Sequence, residues 1–178
     1  MLKIERKYLK IKKLKATEIN SFFNFFQKTV KNFFKEYPKA VKEFFLNKLY
    51  SKQNIETWLR QKTILLLVAL YKKRIVGYLL AGIPSNGVVF VIWLAVDKDF
   101  QNKGIGSLLL KKFEVLAKNK GFHQVMLLVT DPRNLNFYLK NGFKIGGFFP
   151  QSYFGLNCFQ IYKNIQKPSL KSFFTTHW

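Results

Sequence analysis

The chain is 178 residues long, 48% hydrophobic and with 20 phenylalanines, enough to fill the core of one domain and too short for two of comfortable size. Its 31 Lys and Arg against 9 Asp and Glu leave a formal charge of +22; Cys158 is the single cysteine and the two histidines, His123 and His177, are far apart, so neither an internal disulfide nor a metal site is expected. The longest apolar run, Val88 to Val96, is far short of the roughly 20 residues a membrane-spanning helix needs, and the N-terminus is charged rather than signal-like, so a cytoplasmic protein is expected.

The first strand is expected over Tyr8 to Leu14, with imperfect alternation among lysines. Thr17 or Asn20 can then cap a helix whose apolar stripe runs Phe22, Phe25, Phe26, Val30, Phe33, Phe34 and Tyr37 until Pro38 interrupts it. A second helical stretch follows through Val41, Phe44, Phe45 and Leu49, and Asn54 is positioned to cap a third carrying Ile55, Trp58 and Leu59. Ile64 to Leu70 and Ile75 to Ala81 are apolar runs joined by Tyr71 to Arg74, the pattern of an antiparallel hairpin. After a turn over Gly82 to Gly87 comes Val88 to Val96, an unbroken apolar strand expected to be buried on both faces.

That strand empties into a polar turn, Asp97 to Gly104, and the turn opens into a helix whose apolar residues Ile105, Leu108, Leu109, Phe113 and Leu116 recur at helical spacing. Free N–H groups and the positive dipole end at such a helix start suit a phosphate, and Gly104 and Gly106 allow close approach to the backbone. Neither a P-loop nor a dinucleotide fingerprint is present. Downstream come a strand over Gln124 to Val129, a short helix over Asn134 to Lys140, and strands near Phe143 to Phe149 and Phe154 to Tyr162, where Cys158 is expected as apolar filler. The tail Gln166 to Trp178 is expected to be loose, with Phe173, Phe174 and Trp178 able to dock on a partner chain, which leaves a homodimer open.

The segment Gln101-Asn102-Lys103-Gly104-Ile105-Gly106 resembles motif A of the GNAT acyltransferase superfamily, Gln/Arg-x-x-Gly-x-Gly/Ala, and Tyr138-x-x-x-Gly142-Phe143 is similar to a second block of that family. The resemblance extends from about residue 4 to about residue 165 and implies one domain, 1–165, of an α/β (α+β) fold: a mixed, mostly antiparallel sheet of six to seven strands flanked by about four to five helices. It further implies acetyl-CoA (coenzyme A) as cofactor, with Leu94, Ala95 and Val96 pairing with the pantetheine arm and Gln101 to Ser107 holding the pyrophosphate, Lys103 adding charge and Ser107 a hydroxyl. Asn134 is the candidate for the family asparagine; it lies nearer to Tyr138 than is usual, and Asp131 is the alternative. Tyr138 matches the tyrosine that protonates the departing thiolate, so an N-acetyltransferase with Tyr138 as general acid is expected.

No carboxylate lies at the family's usual place for a base, near Val89 to Ile92; Asp97 and Asp99 could act through water but read better as solvated turn residues, and no base is assigned. The resemblance places acceptor choice in the helices bearing Phe33, Phe34, Tyr37 and Phe45. The acceptor amine itself, on a small molecule, a protein or an RNA, is not legible. The +22 charge is read either as compositional, with lysines in solvent, or as a field that steers anionic ligands, disfavours a free polyamine and recruits nucleic acid; a nucleic-acid-associated module of the same fold is the alternative function.

Overall fold

The computed structural model describes residues 4–82, 84–174 and 177–178. Seven strands form a single mixed sheet in the order β1-β2-β3-β4-β5-β7-β6: β1 Leu9–Lys13, β2 Leu65–Tyr71, β3 Arg74–Ala81, β4 Val88–Val96, β5 Gln124–Val129, β6 Lys144–Tyr153 and β7 Leu156–Asn164. Among the described residues only the β4–β5 pair is parallel. The helices among the described residues are α1 Ile19–Asn32, α2 Lys39–Phe44 with a π-turn continuation over Phe45–Leu49, α3 Lys52–Arg60, α4 Ile105–Asn119, α5 Leu135–Lys140 and the four-residue α6 Leu170–Phe173. The expected strand number therefore holds, and the five helices of six residues or more, α1 to α5, match the expected helix number, with the four-residue α6 in addition.

Two apolar layers sandwich the sheet. On one face α4 lays Leu109, Leu110, Phe113 and Ala117 against β2–β5; on the other, α1 to α3 bury Phe22, Phe26, Phe45 and Ile55 against Tyr78 and Trp93. The Phe stripe of α1 is core because its spacing aims every ring at one side. Phe22, Phe25 and Phe26 surround Tyr78 with centroids 5.3–6.0 Å away, and the Tyr78 hydroxyl meets Thr29 Oγ1 at 2.9 Å. Truncating a fully buried ring such as Phe26 to Ala costs about 3–5 kcal/mol.

Local signals hold with some reassignments. Neither Thr17 nor Asn20 caps α1: a 3₁₀ turn, Ala16–Glu18, precedes it, and the Glu18 carboxylate reaches back to Lys12 and to the Lys15 amide. Ser51, not Asn54, caps α3, accepting from the Asn54 amide, while the Asn54 side chain donates to the Lys48 and Leu49 carbonyls. α1 stops at Asn32, before Phe33, Phe34 and Tyr37, so those rings lie on the α1–α2 connection and not on a helical stripe. The three hairpin turns among the described residues use positive φ at two successive residues, Lys72-Lys73, Asn86-Gly87 and Phe154-Gly155, as twist-matched two-residue turns require. The expected turn over Gly82 to Gly87 includes Ile83, which lies outside the described residues.

Two expectations are corrected. β4 is not buried on both faces: Val89, Val91, Trp93 and Ala95 are buried, whereas Ile92, Leu94 and Val96 are half-buried and Phe90 is exposed. The incompletely buried residues Phe90, Ile92, Leu94 and Val96 all border an open cleft, and a bulge at Ile92, where Val91 pairs with Ala81 and Trp93 with Leu80, changes the face that the buried ones present. The extra residue switches faces, so Val89 and Val91 enter the α4-side core while Trp93 and Ala95 enter the opposite one. The tail is also not loose at its end. Trp178 is 8% exposed, its indole donating to the Gly82 carbonyl at 3.0 Å and its ring lying 5.6 and 5.2 Å from Phe113 and Phe122. A large apolar ring with one donor finds its partners on this chain, where the sequence left docking on a partner chain open. Phe174 stays exposed, and Thr175 and Thr176 lie outside the described residues.

Candidate active site

The parallel pairing of β4 with β5 runs through Val88–Gln124, Val89–Val125 and Phe90–Met126 and ends there. Beyond it the strands part, and a cleft of about 800 Å³ opens between the last residues of β4 and Leu127 to Asp131. β4 still pairs with β3 on its other edge through Val96, so its cleft-side edge from Val91 to Val96 is turned toward the opening. Gln101 takes one of these groups: its side-chain amide donates to the Val96 carbonyl at 3.0 Å and braces the strand end.

The turn after β4 is held by Asp97. The carboxylate is 2% exposed, accepts from the Asp99 amide, and pairs with Arg74 at 2.9 Å and Lys28 at 3.2 Å. Burial alone would raise its pKa, but the Asp99 amide, Lys28 and Arg74 outweigh it and hold the carboxyl below the usual range. Asp97 is therefore neither solvated nor available as a base; it ties β4 to α1 and β3.

Gly104 stands at the N-cap of α4 with φ +78°, and a Cβ built there would meet nothing within 4 Å. The left-handed backbone favours glycine, and the space beside it is open. The first helical bond runs from the Leu108 amide to the Gly104 carbonyl, which leaves the amides of Ile105, Gly106 and Ser107 facing out of the helix end. Gly106 has a different reason: a Cβ would lie 3.0 Å from Phe137 Cζ, so its smallness lets α4 pack on α5. Ile105 is 1% exposed, so only its backbone can serve a ligand. Lys103 does not line the main cleft. Its ammonium bonds the Asp99 carbonyl, and it borders a neighbouring groove of about 460 Å³ with Arg6, Lys111 and Lys163.

Tyr138 reaches the cleft from α5. Gly142, with φ +84°, ends α5, and the Phe143 amide returns to the Tyr138 carbonyl at 3.1 Å. The Tyr138 ring is thereby wedged 5.0 Å from Phe137 and 5.8 Å from Phe143. The Tyr-x-x-x-Gly-Phe spacing is thus a helix stop that clamps the tyrosine. Burial pushes the phenol pKa well above its ordinary value, so the group stays protonated. Asn134 and Asp131 both line the cleft; Asp131 is bound by Arg133 through contacts of 2.6–3.0 Å and held below the usual carboxylate range, chiefly by that side chain.

The structure thus gathers Leu94, Ala95, Val96, Gln101, Asn102, Gly104, Ile105, Gly106, Ser107, Asn134 and Tyr138 around one opening. Sequence reasoning missed the opposite wall, where Glu36, Tyr50, Thr130 and Tyr153 join Phe33, Phe34 and Tyr37.

This fold and cleft define an acyltransferase-like α/β domain. The model of the acetyltransferase (GNAT) family matches residues 26–143, and the chain belongs to that family. It is 28% identical to a spermidine N(1)-acetyltransferase of Thermoplasma acidophilum over 116 residues, 54% of this chain and 71% of that protein. It is 40% identical to the tRNA(Met) cytidine acetyltransferase TmcA of Aeropyrum pernix over 67 residues, 36% of this chain but 9% of that protein. The solved PaiA N-acetyltransferase of Thermoplasma acidophilum, in complex with coenzyme A, superposes with a TM-score of 0.74 at 22% identity, covering 88% of this chain and 98% of that one.

Proposed function

We propose that the chain is an acetyl-CoA-dependent N-acetyltransferase, carried by one observation: the parting of β4 from β5 directs an unpaired strand edge, the α4 N-terminus and Tyr138 into a single cleft. The residues present suit the cofactor. Open space at Gly104 and three outward amides at a helix start fit a pyrophosphate, and an extended strand edge fits an amide-bearing arm. Coenzyme-bound neighbours of the same fold and relatives named as acetyltransferases support the reading.

Acetyl-CoA, when bound, supplies an acyl carbonyl activated as a thioester. Every other contribution belongs to the chain. Leu94 to Val96 offer backbone donors and acceptors that orient the arm, and such positioning can supply up to about 7–11 kcal/mol of barrier reduction. Asn102 to Ser107 hold the phosphates through backbone amides, and Asn134 is placed to bind the arm from the other side. The Tyr138 phenol keeps its proton at physiological pH and is the group placed to donate it to a leaving thiolate, a role worth roughly 10²–10⁴-fold in rate.

Titration calorimetry with acetyl-CoA at low and high salt tests this. Saturable micromolar binding that survives salt supports the assignment. Binding that is absent, or lost with salt as for contact with the +22 surface, overturns it in favour of a polyanion-binding module.

A further inference from the structure

The wall facing the cofactor side holds a polar chain that none of the assigned roles uses. Thr130, just past the end of β5, donates its hydroxyl proton to Glu36 Oε1 at 3.1 Å. Its one proton thus placed, Thr130 Oγ1 accepts from the Tyr37 hydroxyl at 3.3 Å. Burial keeps Tyr37 protonated, its pKa raised mainly by desolvation, so the donor direction is set. The chain Tyr37 to Thr130 to Glu36 fixes one carboxylate oxygen and leaves the other, Oε2, without a hydrogen-bond or ion-pair partner among the described residues. Two segments far apart in sequence, the α1–α2 connection and the end of β5, meet here.

The surroundings define what the free oxygen can take. The cleft is lined by Phe33, Phe34, Trp93 and Tyr153, with Phe34 4.7 Å from Trp93 and Tyr37 6.2 Å from Tyr153. Aromatic faces beside a carboxylate attract a cation and its apolar stem together. Among the described lining residues the acids are Glu36 and Asp131, and Asp131 is committed to Arg133. Glu36 is therefore the acid without an ion pair, Arg133 acting on it through its field alone. A second ammonium on the same molecule would find no further unpaired counter-charge among the described lining residues while meeting a chain of net charge +22.

Building on the acetyltransferase reading above, we propose that Glu36 is the anchor for the acceptor amine, and that the acceptor is a singly charged primary ammonium on an apolar stem, not a polyamine. Glu36 acts as a specificity residue that binds and orients the ammonium, with Thr130 and Tyr37 holding it. The nitrogen then gives one proton to solvent water and attacks the thioester carbonyl. The thiolate leaves with the Tyr138 proton as the carbon–sulfur bond breaks, and the second proton lost by the nitrogen restores the phenol.

The test uses the full chain with acetyl-CoA and two probes, phenethylamine and spermidine, following thiol release, with the acetyl-CoA dissociation constant measured in parallel. Phenethylamine is expected to exceed spermidine in kcat/KM by at least about 10-fold. Glu36→Gln is expected to raise the phenethylamine KM roughly 10- to 100-fold, the loss of one charge-assisted hydrogen bond, with kcat and acetyl-CoA affinity within about twofold; Glu36→Asp should recover part of the loss. An unchanged KM in Glu36→Gln, equal or better use of spermidine, or acetyl-CoA binding without thiol release on either amine overturns the proposal. Failure of the wild-type chain to bind acetyl-CoA overturns the acetyltransferase reading instead.

Discussion

The two walls of the cleft are built by different means. The wall proposed for the cofactor is a continuous strand, turn and helix, Leu94 to Ser107, and the groups it offers are backbone amides and carbonyls; its side chains mostly brace it, as Gln101 does at Val96 and Ile105 in the core. The wall proposed for the acceptor is assembled from the α1–α2 connection, β4 and the ends of β5 and β6, and the groups it offers are side chains: Glu36, Thr130 and a set of aromatic rings. A backbone site needs only a local conformation, so few residue types specify it. A side-chain site needs particular residues brought from distant places, so it can vary while the fold stays the same.

This contrast can be broken most severely at Gly104. Glutamate there sets bulk, negative charge and a strained positive φ where the phosphates would sit, and acetyl-CoA affinity is expected to fall by about 10³-fold or more, with Gly104→Ala separating the strain, on the order of 1 kcal/mol, from the charge. Calorimetry on both variants, with circular dichroism to confirm folding, checks it; unchanged affinity for folded Gly104→Glu would remove the phosphate site from this turn. Trp178 probes what lies beneath the same wall. Trp178→Ala is expected to cost about 3 kcal/mol in urea unfolding, because it empties a ring site against Phe113 and Phe122, while leaving acetyl-CoA affinity within about twofold.

Tyr138→Phe keeps the ring in its clamp and deletes only the hydroxyl. Turnover is expected to drop about 100-fold, with acetyl-CoA affinity nearly unchanged, in single-turnover experiments where chemistry limits the rate. Wild-type turnover in that variant would remove the acid role and leave the cleft a positioning device alone.

The smallest effect concerns pH and separates the walls. Tyr37, Tyr50 and Tyr78 on the acceptor side and Tyr138 on the cofactor side all have phenol pKa values raised, first by burial. A raised pKa means that the folded state holds its proton more tightly than the unfolded chain, so this stability is fully present below the unfolded value of about 10 and is lost as pH rises toward the folded values. Stability should be insensitive to these groups below about pH 10 and fall above it, and Tyr78→Phe should reduce the slope. Urea midpoints across alkaline pH measure it; an equal slope in Tyr78→Phe would contradict the assignment of Tyr78 as a contributor.

Legibility in the sequence followed the range of the interactions. The strand, turn and helix from Val88 to Ala117 were readable because apolar runs, helical spacing and glycines act over neighbouring residues. The Tyr138 block was readable too, since Gly142 stops a helix and Phe143 returns on the tyrosine within five residues. The caps of α1 and α3 were misplaced because several polar residues compete within one turn and the winner depends on where the chain enters. Lys103 looked like a phosphate ligand by its position in the motif, but its long side chain turns back to the Asp99 carbonyl. Asp97 looked solvated because Lys28 and Arg74, which enclose it, come from other elements.

The amino-acid sequence by itself determined the order of elements, the apolar faces that make two layers around one sheet, and the glycine-marked helix start that suits a phosphate, since each depends on backbone conformation and local periodicity. Only the tertiary structure decided where the sheet opens, which face each half of β4 presents around the bulge at Ile92, that Trp178 closes the core at Gly82, and that Glu36 meets Thr130. The last two contacts join residues 96 and 94 positions apart. At such separation no local preference sets the partner, and pairing is determined by how the whole chain packs its apolar surface.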